Sequence, residues 1–338
     1  MMEAYLYERL EDNKVRCNLC SHRCVIKDGR RGICNVREND GGILNTLVYG
    51  KLIAQHIDPI EKKPLFHFLP GTPSYSIATV GCNFRCRFCQ NADIAQMPSD
   101  REGTLLGTRC TPGDVVDAAQ GGGCRSIAYT YTEPTVFFEF AYQTAKLAHD
   151  RGICNVFVTN GYMTSEALEM IEPYLDAANV DLKAFTDDYY KKVCGAGLKH
   201  VQATLKLMKS LDIFIEVTTL IVPGLNDDPS ELNDLAAFIA RDLGPETPWH
   251  ISRFHPTYKL TDRPSTPIQT LTTAREIGIN AGLRYVYTGN VPGNAAENTF
   301  CYSCGETVIE RWGFQVENLR LKNGKCTQCG VEIDGVWE

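Results

Sequence analysis

No segment of this 338-residue sequence predicts a membrane span or a secretory signal. Residues 1–12 lack the basic stretch followed by an apolar stretch that begins a signal peptide. Nowhere does the chain approach the roughly 18 successive apolar residues of a transmembrane helix. Even the apolar region 213–222 contains Glu216, Thr218 and Thr219. We therefore expect a cytoplasmic protein that has no membrane partner.

The sequence also has no excess of basic residues. It contains 34 Lys and Arg against 41 Asp and Glu, a formal net charge of −7. Because binding of nucleic-acid phosphates requires clustered Lys and Arg, a nucleic-acid partner is not expected. The apolar fraction of 43% is ordinary for a folded domain, and the length suits one large domain with one or two small ones.

Cysteine, by contrast, is abundant, with 15 residues. Thiols stay reduced in the cytoplasm, so this number indicates metal or redox chemistry rather than disulfides. Four thiolates suit a tetrahedral metal ion or a cubane iron–sulfur cluster, whereas three suggest a site with one open position. Among the isolated cysteines, Cys194 is a candidate hydrogen donor or radical relay. The grouped cysteines are N-terminal (Cys17, Cys20, Cys24, Cys34), central (Cys82, Cys86, Cys89) and C-terminal (Cys301, Cys304, Cys326, Cys329).

Strand-like and helix-like patterns alternate between residues 74 and 293 and predict a parallel α/β sheet with helical crossovers. Periodicity alone leaves a doubly wound sheet and a full or partial TIM-like barrel open. The flanking regions 1–73 and 294–338 each hold four grouped cysteines and predict small metal-stapled modules. The predicted strands are 76–80, 126–131, 155–159, 179–184, 213–222, 249–254 and 284–288, and the predicted helices are 112–120, 136–149, 165–174, 201–210, 230–243 and 268–281.

The central cysteines have the spacing C-x3-C-x2-C and follow the first predicted strand of the repeat. They therefore lie on a loop at the carboxyl edge of the sheet, where ligands bind in α/β folds. Three thiolates on one short loop can hold three irons of a cubane and leave the fourth iron free. A three-cysteine zinc site, or a ferredoxin-like cluster with a distant fourth ligand, is the alternative.

This spacing, with Phe88 directly before the last cysteine, resembles the signature of the radical S-adenosylmethionine (SAM) superfamily. The resemblance implies a partial (βα)6 barrel and an oxygen-sensitive oxidoreductase. It also implies that Cys82, Cys86 and Cys89 hold a catalytic [4Fe-4S] cluster that SAM completes. Reductive cleavage of SAM would then yield a 5′-deoxyadenosyl radical that abstracts hydrogen from a substrate.

Polar residues near the ends of later strands are candidates for binding SAM. On the predicted strand 179–184, Asp181 and Lys183 share one face and would suit the ribose or sulfonium region and the carboxylate of SAM. A purely structural Asp181–Lys183 ion pair is the alternative. Thr132 and Glu133 end the second strand, where radical SAM enzymes use a segment that binds the SAM amino group. His255, after the sixth strand, is either a ligand of SAM or substrate or a packed histidine.

Other motifs narrow the resemblance within the superfamily. Thr159, Asn160 and Gly161, together with 181–183 and 222–224, resemble the pyruvate formate-lyase activating enzymes. Those activases carry an Asp where this chain has Val158 and an Arg where it has Thr218, which weakens the expectation of their monovalent-cation site. Segments 15–24, 32–34, 58–65, 68–71 and 130–134 resemble the radical SAM member of the AmmeMemoRadiSam system. That resemblance implies Memo-like and AMMECR-like protein partners.

The outer cysteine groups predict two further metal sites. The C-terminal pattern, C-x2-C, 21 residues and C-x2-C, is typical of a zinc ribbon, with a rubredoxin-like iron site as the alternative. The N-terminal pattern, C-x2-C-x3-C-x9-C, suits zinc or an auxiliary iron–sulfur cluster, and we favour zinc slightly. Together these observations predict a radical SAM enzyme that receives electrons from a ferredoxin or flavodoxin and acts on a protein-borne group. Modification of a small metabolite or RNA, or a non-catalytic iron–sulfur protein, are the alternatives.

Overall fold

An eight-stranded sheet forms the centre of the computed structural model, which describes residues 2–291 and 293–338. Strands adjacent in the chain are adjacent in the sheet, and β2 to β8 run parallel. The edge strands β1 and β8 are not paired with each other, so the sheet is an open, partial barrel, as predicted. The strands are β1 (Ala54–Pro59), β2 (Pro73–Ala78), β3 (Ser126–Tyr129), β4 (Cys154–Thr159), β5 (Ala177–Asp181), β6 (Phe214–Ile221), β7 (Trp249–Arg253) and β8 (Val286–Gly289).

Six longer helices connect these strands, close to the predicted positions. Their ends follow local chemistry: Thr111 and Asp114 form a reciprocal capping box at the start of α1, and the Asp228 carboxylate caps α5. In the described residues no helix combines the length and apolarity that crossing a membrane requires. The helices are α1 (Pro112–Gly121), α2 (Phe138–His149), α3 (Ser165–Ile171), α4 (Leu198–Ser210), α5 (Pro229–Phe238) and α6 (Ile268–Asn280).

The N-terminal region contributes more to the barrel than the sequence predicts. Residues 54–59, expected within the separate module 1–73, form the antiparallel edge strand β1, paired with β2. This strand occupies backbone hydrogen-bonding groups of β2 that would otherwise form an open edge. The preceding residues make small antiparallel pairings among the short strands Met2–Glu3, Tyr7–Arg9, Val15–Cys17, Val25–Ile26, Arg37–Asp40, Ile43–Thr46 and Lys51–Leu52, the last of which pairs with Thr108–Arg109.

The C-terminal region folds as a small antiparallel unit, and its apolar side chains form one cluster with Phe66, Tyr285 and Tyr287 of the barrel. It contacts the barrel through the segment 66–69, where Leu69 N donates to Val336 O at 2.7 Å. The Arg311 guanidinium is buried and donates to Phe66 O at 2.8 Å. Its strands are Thr299–Phe300, Thr307–Trp312, Gln315–Leu319, Leu321–Lys322 and Lys325–Cys326.

A buried polar cluster lies where the C-terminal unit meets the amino-terminal half of the sheet. Glu216 on β6 accepts hydrogen bonds from His250 Nε2 at 2.6 Å and from the backbone N of His67 at 2.7 Å. The His67 ring contacts Asp334 O through Nδ1 at 2.6 Å and the Tyr287 hydroxyl through Nε2. A neutral ring with its proton on Nδ1 satisfies both contacts, because the Tyr287 hydroxyl can then donate to Nε2.

We expect His67 to make the folded state less stable in mild acid. Burial lowers the pKa of His67 from 6.5 to about 4. The unfolded chain therefore binds a proton more readily between these values, and the free energy of unfolding falls as pH drops below about 6.5. At pH 5.5 the loss is about 1.4 kcal/mol relative to pH 7.5. Urea unfolding at the two pH values measures it, and His67→Gln, which keeps a donor and an acceptor, should lose this increment. An equal pH dependence in both proteins contradicts the assignment.

Candidate active site

A cavity of about 510 Å³ opens at the carboxyl ends of the parallel strands. Ligand sites of α/β barrels occur at this edge, because the loops that follow successive strands converge there. The cavity size is in the range of small-molecule sites. Nine of the ten residues predicted to form the site line it: Cys82, Cys86, Cys89, Thr132, Glu133, Thr159, Asn160, Asp181 and Lys183.

The cysteine triplet lies on a loop that the rest of the barrel holds in place. Gly81 precedes it with φ +102, and a Cβ at that position would meet Val36 Cγ1 at 2.6 Å, so only glycine fits without a shift. Arg85 N donates to Cys194 O at 2.8 Å, and Gln96 Nε2 donates to Phe84 O at 2.9 Å. These bonds fix a loop that presents three thiols to one side of the cavity.

The donor set and its surroundings fit an iron–sulfur cluster with a SAM ligand. In residues 2–291 and 293–338, Cys82, Cys86 and Cys89 do not form a group whose sulfurs all lie within 4.8 Å of one another, as ligands of a single metal ion would. A cubane binds each thiolate to a different iron and holds them farther apart. Thr218 Oγ1, buried at the cavity wall, has no hydrogen-bond partner among residues 2–291 and 293–338 and is available to a ligand.

Glu133 organises the neighbouring loop. Its Oε1 accepts from Thr159 Oγ1 at 2.7 Å and from Thr135 Oγ1 at 2.6 Å, and its Oε2 accepts from Asn160 N at 2.8 Å. Burial raises the pKa of this carboxyl, while these donors oppose the rise. The carboxyl therefore holds the Thr159–Gly161 turn, and Oε2 retains a lone pair for a ligand in the cavity.

Asp181 and Lys183 form an ion pair at the cavity wall. The distance between Lys183 Nζ and Asp181 Oδ2 is 2.7 Å, and the Lys183 side chain is 12% exposed. Burial opposes the charged form of Lys183, but Asp181 and the nearby thiols raise its pKa well above 10.5. Lys183 is therefore a cation at the cavity. Asn179, two residues before Asp181 on β5, instead donates to Pro64 O at 2.8 Å and is absent from the lining.

His255 is the predicted site residue that the structure does not bring to the cavity. It is exposed, and its Nδ1 contacts Ser265 Oγ at 3.0 Å. The sequence places it correctly after β7, but the chain turns outward there. Conversely, Lys62 and Phe314 line the cavity without having been predicted to do so. Lys62 lies within a motif used only for the family resemblance, and no sequence signal brings Phe314 from the C-terminal unit to the barrel.

Cys194 lies behind the triplet. It is fully buried and absent from the cavity lining, and its S–H hydrogen bond lowers the pKa of the Cys86 thiol. Hydrogen bonds to cluster sulfurs raise a cluster's reduction potential, so this position indicates a positioning role rather than a radical relay.

We expect Cys194→Ala to lower the midpoint potential of the catalytic cluster while SAM cleavage persists. Loss of one outer hydrogen bond should slow cleavage by no more than about tenfold, the lower end of such effects. Redox titration followed by EPR measures the potential, and Cys194→Ser should lie between the alanine variant and the wild type. Complete loss of cleavage with the cluster intact would instead assign Cys194 to the radical reaction.

The C-terminal cysteines form a compact tetrad. The four sulfurs all lie within 4.8 Å of one another, with Cys301 and Cys329 Sγ 3.6 Å apart and Cys304 and Cys326 Sγ 3.8 Å apart. A tetrahedral ion with metal–sulfur bonds of about 2.3 Å requires sulfur separations of about 3.8 Å. The tetrad therefore fits a single tetrahedral metal ion. The N-terminal cysteines instead line a separate cavity.

Comparison with known proteins agrees with this site. Residues 76–239 match the Radical SAM superfamily. The chain is 50% identical over 336 residues to an uncharacterised protein of Methanocaldococcus jannaschii, with 99% of each covered. It is 28% identical over 162 residues to the pyruvate formate-lyase-activating enzyme of Clostridium pasteurianum, covering 47% of this chain and 66% of that protein.

Solved structures support the fold alone. SuiB of Streptococcus suis bound to S-adenosylmethionine superimposes with a TM-score of 0.52 at 12% identity, covering 68% of this chain and 53% of that chain. A radical SAM methyltransferase from Sphaerobacter thermophilus gives 0.51 at 14% identity, covering 66% and 68%. Both agree with the partial barrel described above.

Proposed function

This chain belongs to the radical SAM superfamily and is an enzyme of that type, and we propose that it abstracts hydrogen from a protein or a protein-borne group. Membership implies a [4Fe-4S] cluster and SAM. When bound, they supply the 5′-deoxyadenosyl radical, and the protein must orient them and exclude water and oxygen.

The observation that carries this proposal is the composition of the cavity rim. Phe314, from the C-terminal unit, lines the cavity and is 48% exposed, and Trp312, two residues before it in the chain, is 63% exposed. An exposed aromatic side chain at the rim of an open cavity favours contact with another macromolecule over full enclosure of a metabolite. The likeness to pyruvate formate-lyase-activating enzymes also supports a protein substrate.

Different residues of the cavity would bind different chemical groups of SAM. Lys183 would bind the carboxylate of SAM, and Asp181 would bind the ribose hydroxyls or lie near the sulfonium. Glu133 would accept from the amino group through Oε2 while holding Thr159 and Asn160 in position. The Thr132 hydroxyl donates to Thr79 O at 2.9 Å, and this hydrogen bond holds the Thr132 backbone at the same wall of the cavity.

Partners follow from the same proposal. We propose a ferredoxin or flavodoxin as electron donor, and a Memo-like and an AMMECR-like protein as the proteins that supply or receive the modified group. The C-terminal tetrad would hold a structural zinc ion, which keeps Phe314 on the rim of the cavity. A membrane or nucleic-acid partner is not part of this proposal.

We expect Lys183→Met to weaken SAM binding by about 10- to 100-fold, since a hydrogen bond to a charged group is worth about 1.5–3 kcal/mol. Equilibrium binding to the reconstituted, oxidised protein measures the affinity, and Lys183→Arg should retain part of it. If Lys183 served only its ion pair with Asp181, SAM affinity would not change while stability fell.

Production of 5′-deoxyadenosine after dithionite reduction tests the enzyme class, and deuterium transfer tests the substrate. The full chain is incubated anaerobically with SAM and with each deuterated Memo-like or AMMECR-like protein. Deuterium in 5′-deoxyadenosine from a protein supports the proposal. Transfer from a small metabolite or RNA, with none from the proteins, would establish the alternative substrate class.

A further inference from the structure

The N-terminal cysteines surround a buried cavity between the N-terminal region and the barrel. Cys17 ends a short strand, and the other three follow on loops. Thr135 and Val136, two and three residues after Glu133, also line this cavity. The remaining lining that bears on binding is Cys17, Cys20, Cys24, Cys34, Arg37 and Asn83.

The separation of the sulfurs distinguishes this site from the C-terminal tetrad. In residues 2–291 and 293–338, no three of the N-terminal sulfurs all lie within 4.8 Å of one another, whereas all four C-terminal sulfurs do. In the same described residues, the three sulfurs of the catalytic triplet likewise do not all lie within 4.8 Å of one another. A single tetrahedral ion requires short sulfur separations, and a cubane permits longer ones because each thiolate binds its own iron.

We propose that Cys17, Cys20, Cys24 and Cys34 hold a second [4Fe-4S] cluster rather than a zinc ion. All four cubane irons then have a cysteine ligand, so this cluster has no open position for SAM. It is an auxiliary cluster in an enzyme whose catalytic cluster is held by the central triplet.

Two buried donors at this cavity lack an acceptor. Arg37 Nε and Asn83 Nδ2 have no hydrogen-bond partner in the described chain, and both residues are about 1% exposed. Arg37 Nη1 also lies 3.8 Å from Cys17 Sγ. A cluster with four thiolates carries sulfides that accept hydrogen bonds, so it would satisfy these two donors, while the charge of Arg37 is already paired with the buried Glu139 carboxylate.

Asn83 joins the two cluster sites. It follows Cys82 in the chain and lines the N-terminal cavity. Its backbone O contacts His22 Nε2 at 2.8 Å. Its Oδ1 accepts a hydrogen bond at 2.7 Å from the Nδ2 of Asn160, which lines the cavity at the carboxyl ends of the strands. One residue thus separates the two sets of ligands, so two reduced clusters would interact magnetically.

Iron analysis of a variant without the catalytic cluster tests the proposal. The full-length Cys82→Ala/Cys86→Ala/Cys89→Ala protein, purified and reconstituted anaerobically, should retain about four irons and four sulfides per chain, against about eight in the wild type. Reduction should give an unbroadened S = 1/2 EPR signal in the variant and a broadened signal in the wild type. A further exchange of Cys20 and Cys24 to Ser should remove the remaining iron.

Zinc at two per chain with no iron in the triple variant would overturn the proposal, as would four irons in the wild type. Wild-type Mössbauer spectra give an independent count if the variants fail to fold, because two clusters contribute eight iron sites. The iron count does not depend on SAM cleavage or on the substrate. Failure of the auxiliary site and failure of the proposed function are therefore distinguishable.

Discussion

Replacing Cys86 by Ala should abolish reductive cleavage of SAM, a loss of at least about 10³-fold. Cys86 is the middle cysteine of the triplet, and it is buried between the cavity and Cys194. The two remaining thiolates would hold only two irons of a cubane, so a cluster able to bind SAM should not assemble. The measurement is 5′-deoxyadenosine released after dithionite reduction under anaerobic conditions.

Cys110→Ala is the matched control, because Cys110 is partly exposed and lies outside the cavity lining. It should retain wild-type cleavage. The Cys86→Ala protein should also keep the metal of the C-terminal tetrad, which shows that the loss is local. Substantial 5′-deoxyadenosine from Cys86→Ala would mean that another group completes the cluster, and the assignment of the triplet would be wrong.

Replacing Glu216 by Ala should reduce the free energy of unfolding by about 3–5 kcal/mol. The Glu216 carboxylate is fully buried and accepts from His250 Nε2 and from His67 N. Burial alone would raise its pKa, but the two histidines lower it below 4.5. Removing the carboxylate leaves two buried donors without an acceptor and opens a cavity among packed side chains. Urea unfolding at pH 7.5 measures the change.

Two variants make this result specific. Glu216→Gln keeps an acceptor for His67 N and should be less destabilising than Ala, while the exposed Glu317→Ala should be nearly neutral. Because Glu216 lies at the opposite end of β6 from the cavity, the folded fraction of Glu216→Ala should still bind SAM. A loss below about 1 kcal/mol would show that water or a rearranged His67 replaces the carboxylate.

The catalytic triplet shows how much local sequence determines. Its spacing, with Phe88 directly before the last cysteine, carries the family resemblance that predicts three cluster ligands, and the preceding strand predicts the edge of the sheet at which they lie. The alternation of strands and helices likewise predicted the fold class, because period-2 and period-3.6 patterns record which face of each element is buried. The observed strands and helices differ from the predicted ones mainly at their ends.

The three-dimensional arrangement decided which distant residues meet. Sequence left Asp181 and Lys183 as a SAM site or an ion pair, and the structure shows an ion pair that also lines the cavity. It placed His255 outside the site and Phe314 within it. The sequence fixes which residue follows each strand, but the path of each loop depends on packing against segments far away in the chain.

The three cysteine groups show the same distinction between what the sequence predicts and what the tertiary structure decides. Cysteine spacing alone predicted three groups and left zinc or iron–sulfur open for the N-terminal one. Spacing sets which thiols can approach each other, since loops of two or three residues are short, but it does not set the final sulfur separations. The sulfur separations depend on the segments against which the loops pack. These segments are the barrel for the N-terminal group and the strands of the C-terminal unit for the tetrad.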